Sequence, residues 1–301
     1  MAYWFNILVV IVASLSCGVC LRNDKWAVTS KQSAWRRRER MASVIPGEGV
    51  RRVLERDTGS KSRYKTHAQD CVVTRVGGNP LNEHYGAWYL CEGFSSRPFT
   101  LISVGSGCDS TFEHDFAWKS PDSLIHVFDP TINHARFRDC SQKSVKILGL
   151  NSQKHEDQIK FWELGLSAAP KVVSFYKSRN AKISSLSEVE VRGYHRSRNY
   201  GTVLDVNSII SIAEFREPNN PVILKMDIEG SEFDTIHSWC VTKRPPEKLW
   251  KVDQLTVEFH SRFLFNGSAQ QDIAINCLAS LGFVKVYEHY PKKEEMLFVR
   301  Y

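Results

Sequence analysis

Carboxylates gather just past one apolar run. Val222-Ile-Leu-Lys-Met226 is followed by Asp227, Glu229 and Glu232, and carboxylates so grouped can orient a hydroxyl, accept its proton or hold a divalent cation. Asp227 is the leading candidate base or acceptor-orienting group, because it directly follows the run and precedes the turn at Gly230. Glu232 by itself admits a simpler reading, since an acid in a helix's first turn complements the macrodipole. Farther along, Glu258 and His260 stand two residues apart in Gln254-Leu-Thr-Val-Glu258-Phe-His260, which puts both on one face of a strand. If that face meets a cleft they join Asp227 and Glu229 as secondary candidates; if it does not, His260 is a surface or hydrogen-bonded histidine.

A second group reads differently. Phe99-Thr-Leu-Ile-Ser-Val104 runs into Gly105, Ser106 and Gly107, and Leu124-Ile-His-Val-Phe128 runs into Asp129 and Pro130. Glycines let a backbone approach a ligand, and the N–H groups opening the next helix can hold a carboxylate. Asp129 falls 22 residues after Gly107, near the spacing at which a Rossmann-type site sets an acid on ribose hydroxyls. The pair marks an adenosine-type ligand rather than a reaction, with Gly105, Ser106, Gly107, Asp129 and Pro130 as candidate binding residues. A nicotinamide cofactor satisfies the same geometry, although Ser110 stands where that fingerprint's third glycine belongs.

The elements around these groups alternate. The run entered through Pro221 suits a strand buried on both faces, and Phe233, Ile236 and Cys240 fall at helical spacing after Ser231, a capping residue type. Ser110-Thr-Phe-Glu113 has capping-box spacing, with Phe112 and Phe116 on the apolar side of its helix. Either Val145–Leu148 or, preferably, Ile159–Trp162 is the third sheet strand. The polar stretch 177–199 reads as a surface insertion after the β-prone Val172–Tyr176, and Val203–Phe215 as a helix. Ile273–Leu281 is an amphipathic helix, and Phe283–Tyr287 and Met296–Tyr301 are two final strands. Strands alternating with helices give an α/β fold with a parallel sheet and helices on both faces.

Composition bounds the rest. The 301 residues are 42% hydrophobic and 24% charged, with a net charge of +7. From Arg22 to Lys65 thirteen basic residues face five acids, a surplus larger than the whole chain's, so the remainder is close to neutral and nucleic-acid binding is set aside. Residues 2–21 are an apolar signal peptide or signal anchor, hence a membrane anchor if uncleaved. Residues 22–66 read as a basic flexible stem, in which Trp35-Arg-Arg-Arg-Glu-Arg40 is solvated or meets an anionic lipid or glycan. Residues 67–301 form the folded domain. The basic residues after the leader disfavour a luminal domain by the positive-inside rule. The sequon Asn266-Gly-Ser268 and cysteines that look paired favour one. Cys71 and Cys91 flank short β-prone pieces with Gly77, Gly78, Asn79-Pro80 and Gly86 as turn signals, which suits a hairpin closed by a disulfide. No Cys/His spacing there suits zinc. No metal site is assigned; a divalent ion on Asp227, Glu229 and Glu258 stays open on oxygen-ligand grounds.

Lys225-Met-Asp227-Ile-Glu229-Gly230-Ser-Glu232 resembles the K-[IM]-D-[IV]-E-G-x-E signature of FkbM-type methyltransferases. Ser103–Glu113, His126–Pro130 and the Cys71–Cys91 block resemble the methyltransferase-like protein 24 group of that family. The likeness covers roughly residues 71–301. It departs from bacterial members at Ser103, where their D-x-G-A-N-x-G begins with an acid. The resemblance implies a Rossmann-like class I sheet and S-adenosyl-L-methionine as cofactor. It also implies O-methylation of a hydroxyl-bearing small molecule or glycan in the secretory pathway, the protein being secreted or single-pass in the endoplasmic reticulum or Golgi lumen. The alternatives are a non-catalytic secretory binding protein on the same fold and a nicotinamide-dependent oxidoreductase. The oligomeric state is left open.

Overall fold

The computed structural model divides into two units, Met1–Ser60 and Lys61–Tyr301. It describes residues 71–300 apart from 80–81, 93–96, 151–155, 179–185, 188–193, 215–219, 243, 265 and 290–293. The leader and the basic stem lie outside the described residues. Among the described residues no helix is long and apolar enough to cross a membrane.

Seven strands make the central sheet: β3 (Thr100–Val104), β4 (Leu124–Phe128), β5 (Ile159–Trp162), β10 (Val222–Met226), β11 (Val252–Glu258), β12 (Phe283–Glu288) and β13 (Glu295–Arg300). Their order is β12-β13-β11-β10-β3-β4-β5. The pairs from β11 through β5 are parallel, and β13 runs antiparallel to both β11 and β12. Every residue of β3 and β10 is buried, as strands covered on both faces require.

Alternation along those strands divides the core. Leu101, Ile125, Val127 and Ile223 pack with Phe112 and Phe116 of α1 (Thr111–Lys119) and Phe137 of α2 (His134–Leu148). Their neighbours Ile102, Val104, Leu224 and Met226 pack on the other side. There they meet Ile209 of α3 (Val206–Ala213), Ile236 of α4 (Glu232–Val241) and Leu278 of α5 (Gly267–Ser280). The period of two thus feeds one cluster from each face, and each such side chain contributes roughly 1.5–3 kcal/mol over its exposed state.

β1 (Val73–Asn79) and β2 (Asn82–Cys91) form the expected antiparallel pair, and Cys71 is disulfide-bonded to Cys91. Gly77, Gly78 and Gly86 lie inside the strands rather than in the turn. A Cβ on Gly77 would stand 2.5 Å from the Phe112 Cα, and one on Gly86 would stand 2.3 Å from Asp109 Oδ2. The Gly77 N–H donates to Asp115 and the Gly78 N–H to Thr111. Gly77 and Gly86 therefore serve close approach to the start of α1, whereas a Cβ on Gly78 would meet Ala87 of β2.

Other boundaries move for local reasons. Val145–Leu148 completes α2, whose start is capped by the Asn133 side chain accepting from the Arg136 N–H; the third strand is Ile159–Trp162. α3 begins only at Val206, capped by Asp205, because Val203 and Leu204 belong to a strand. The stretch read as a surface insertion contributes to a second sheet. It contains β6 (Leu164–Leu166), β7 (Lys171–Ser178), β8 (Leu186–Ser187) and β9 (Tyr194–Leu204) in the order β6-β9-β7-β8. The capping box at Ser110 is not formed: Ser110 makes no side-chain cap, and Asp109 accepts from the Thr111 N–H instead.

Candidate functional site

β4, β3, β10 and β11 are consecutive neighbours, so their carboxyl ends form one edge. Asp227 continues the β10–β3 pairing by one step, its N–H donating to the Val104 carbonyl at 3.0 Å, and Gly105 continues β3 toward β4 by donating to Phe128 at 2.9 Å. A Cβ on Gly105 would lie 1.7 Å from the Asp227 carbonyl oxygen, and its φ is +79°. Gly105 thus lets the glycine turn and the acidic loop touch. Lys225, only 3% exposed, ties them further: its Nζ donates to the Gly105 carbonyl, stands 3.6 Å from Asp227 Oδ2 and sits 4.8 Å over the Trp88 ring.

On the β3–β4 side, the Gly107 N–H donates to Asp129 Oδ2 at 2.7 Å, while Oδ1 accepts from the Thr131 N–H and hydroxyl. Burial pushes the Asp129 carboxyl up, against the hydrogen bonds that hold its ionised form. Asp129 Oδ2 keeps acceptor capacity beyond its one bond. Pro130 follows Asp129 in the chain. A Cβ on Gly165 or Gly201 would stand 2.8 Å from its Cγ or 2.7 Å from its Cβ, so Pro130 packs against the second sheet. The Cys108–Cys140 disulfide fastens the end of the turn to α2.

These residues suit an adenosyl cofactor. Ser106 Oγ is buried with no hydrogen-bond partner among the described residues, and the Cβ position of Gly107 faces open space within 4 Å. A buried hydroxyl and a bare backbone beside a carboxylate are what a sugar and its substituents require.

On the β10–β11 side Glu229 and Gly230 both take positive φ, +53° and +101°. A non-glycine residue there is held at a cost of about 1 kcal/mol. The loop is held by Glu232, which is fully buried. Its Oε2 accepts from the Gly230 N–H at 2.9 Å, and its Oε1 from the His260 N–H at 2.6 Å and His260 Nδ1 at 3.1 Å. Glu232 is therefore far more than a helix-terminal acid. β11 stops at Glu258, so His260 sits just beyond it, yet its side chain faces the acids, 1% exposed. His260 Nε2 stands 3.7 Å from Asp227 Oδ1, 3.6 Å from Glu229 Oε2 and 3.7 Å from Glu258 Oε1.

Charge follows from this crowding. Burial acts to depress the His260 pKa, but Glu232, Asp227 and Glu258 outweigh it and push it up to about 10. Burial raises Glu229 to about 7, with repulsion from Asp227 and Glu258 added and His260 opposing. Glu258 is likewise raised to about 7 by burial and by Asp227. Beside the cluster, Arg262 lies 3.7 Å from Glu258 and lines an open crevice of about 540 Å³ with Ser261, Leu264, Asn266 and Gly267.

Sequence reasoning missed Glu232 and Lys225 as parts of the site, although both belong to the signature. It also missed Glu113, which is buried under the turn, accepts from the Ser103 hydroxyl and is raised by burial against the pull of Lys225. The signal for Lys225 was available: a lone cation inside a five-residue apolar strand must find a partner at that strand's end.

A largely parallel sheet flanked by helices, with a glycine turn after β3 and an acid after β4, defines an α/β class whose ligand edge lies at the carboxyl ends of its strands. The family model for the methyltransferase FkbM domain matches residues 107–285, and the chain belongs to that family. No curated protein matches the chain. Among solved structures it is similar to the Methanococcus jannaschii fibrillarin pre-rRNA processing protein, at 10% identity and a TM-score of 0.37, over 67% of this chain and 66% of that one. It is also similar to an O-methyltransferase family protein from Burkholderia thailandensis, at 11% identity and a TM-score of 0.33, over 69% and 52%. Less than two thirds of either protein's length is spanned.

Proposed function

We propose that this chain is an S-adenosylmethionine-dependent O-methyltransferase acting on a hydroxyl-bearing small molecule or glycan. The observation that carries the reading is the single edge on which the Gly105–Gly107 turn, Asp129 and the Asp227 cluster meet, joined by Lys225. Gly107, Ser106 and Asp129 would hold the cofactor. When bound, it would supply an activated methyl group for transfer to the acceptor oxygen.

The chain's own residues orient the acceptor and receive its proton. Asp227 lies nearest the turn through Gly105 and orients the hydroxyl. Glu229 and Glu258, both raised to about 7, are better matched to taking a proton at neutral pH than an ordinary carboxylate. His260 stands opposite them and balances their charge.

A secretory setting and the likeness to the methyltransferase-like protein 24 group belong to the same reading. The six described cysteines form three disulfides, Cys71–Cys91, Cys108–Cys140 and Cys240–Cys277, which supports an oxidising compartment. Asn266 of the sequon is exposed. Calorimetric titration of the purified chain with S-adenosylmethionine and with NADH tests the reading. Heat with the first alone is expected. Heat with NADH alone points to an oxidoreductase, and none with either leaves a binding protein. Given turnover on an identified acceptor, Asp227→Asn is expected to lower kcat at least 10-fold; full turnover would remove its role.

A further inference from the structure

We infer that Asp227, Glu258 and His260, with Glu229 beside them, form a binding site for one divalent transition-metal ion. One ligand atom from each of Asp227, Glu258 and His260 lies within 4.8 Å of the others. Clustered acids alone would say little, and the decisive residue is the imidazole. His260 is 1% exposed, and its Nδ1 and backbone N–H are both spoken for by Glu232. That contact sets the ring so that Nε2 points at the acids. A buried carboxylate accepting from the far nitrogen is the arrangement that orients a metal-ligating histidine, and the ion would take the place of the Nε2 proton with which the ring otherwise balances the acids.

The distances agree. Nε2 stands 3.6–3.7 Å from three carboxylate oxygens, beyond the roughly 3.2 Å limit of a good N–H···O bond. Ligands about 2.1 Å from a shared ion lie roughly 3 to 4 Å from one another. The Nε2–oxygen spacings thus fit atoms that share a cation as well as they fit a loose ion pair, and the 4.8 Å outer limit of the three ligand atoms asks for a small closure of the carboxylates on the ion. One nitrogen with two or three carboxylate oxygens is a donor set for manganese, iron or zinc, whereas magnesium and calcium prefer oxygen alone. The acids remain 21–26% exposed, leaving an approach for an outside ligand.

On the methyltransferase reading, on which this consequence rests, the outside ligand is the acceptor oxygen. A cation lowers the pKa of an oxygen it binds, so with the ion bound Glu258 would serve as a ligand and the hydroxyl would give its proton to Glu229 more readily than in the metal-free cluster.

The test is a titration of the EDTA-treated, desalted full chain with MnCl2, followed by the loss of the free-ion electron paramagnetic resonance signal, without cofactor. One saturable site is expected, with affinity reduced at least 10-fold in Glu258→Gln and in His260→Gln. His260→Gln also removes a partner of Glu232, so its thermal unfolding is recorded; should it not fold, Glu258→Gln and Asp227→Asn carry the comparison. No saturable site, or a site undiminished in the folded variants, overturns the inference and leaves His260 as a proton-bearing counter-ion. Titration with S-adenosylmethionine alone is read separately. Manganese binding without cofactor binding keeps the metal site and removes the methyltransferase reading; the reverse result overturns the metal site alone.

Discussion

Glu232 shows how much one side chain can organise. It joins the loop after β10 to the loop after β11 through Gly230 and His260, so Glu232→Gln leaves a buried donor poorly matched and weakens a charge-assisted contact. A loss of about 2–4 kcal/mol in chemical denaturation is expected; a change under about 0.5 kcal/mol would show that the loops hold without it. The cluster it anchors also sets a pH dependence. Glu229 and Glu258 are raised from 4.5 to about 7, and His260 from 6.5 to about 10. All three shifts are upward, so the folded chain binds more protons than the unfolded one. Their stabilisation is therefore complete at low pH and is lost as pH rises through 7 and then 10. With EDTA present, the thermal midpoint is expected to fall between about pH 5 and pH 9, and less steeply below about pH 7 in Glu229→Gln. An equal or steeper fall in that variant would remove the assignment.

Among the elements, the turn after β3 separates two uses of glycine. Gly105→Ala would drive a Cβ into the Asp227 carbonyl and is expected to cost more than about 3 kcal/mol, or to prevent folding. Gly107→Ala meets nothing within 4 Å at a φ of +56°, so about 1 kcal/mol of backbone strain is expected. Its larger effect should be on S-adenosylmethionine affinity, read by calorimetry; unchanged affinity would place the cofactor elsewhere. The disulfide one residue on acts on the same turn. Removing the Cys108–Cys140 link, which closes 32 residues, by Cys108→Ser with Cys140→Ser is expected to cost about 3–4 kcal/mol in denaturation. It should also weaken cofactor binding as Gly107 loosens from Asp129.

At the scale of the molecule, β13 comes last among the described strands but lies between β11 and β12. The family match stops at residue 285, yet Met296, Leu297 and Phe298 are buried. A chain ending at Glu288 would bare the edge of β11 and the apolar residues covered by β13, and is expected to be insoluble or to lack a cooperative unfolding transition. A soluble, cooperatively folding product would show that the sheet closes at β11.

The sequence by itself determined the strand–turn–helix alternation, because apolar period and turn chemistry are local. The Cys71–Cys91 hairpin, Phe112 and Phe116 as core, and the Asp227 and Asp129 termini of their strands were all legible in this way. It could not distinguish a glycine that turns the chain from one that admits a helix, as at Gly77 and Gly86, since the neighbour that forbids a Cβ comes from another element. Nor could it see a second sheet in a polar stretch, whose strands are stabilised by partners distant in the chain. Only the tertiary structure decided that Glu232 is buried, that Pro130 faces the second sheet and that Nε2 of His260 meets three carboxylates. A carboxylate or imidazole takes its protonation and its partners from what surrounds it in space, and sheet order alone brings residues 105, 129, 227 and 260 to one edge.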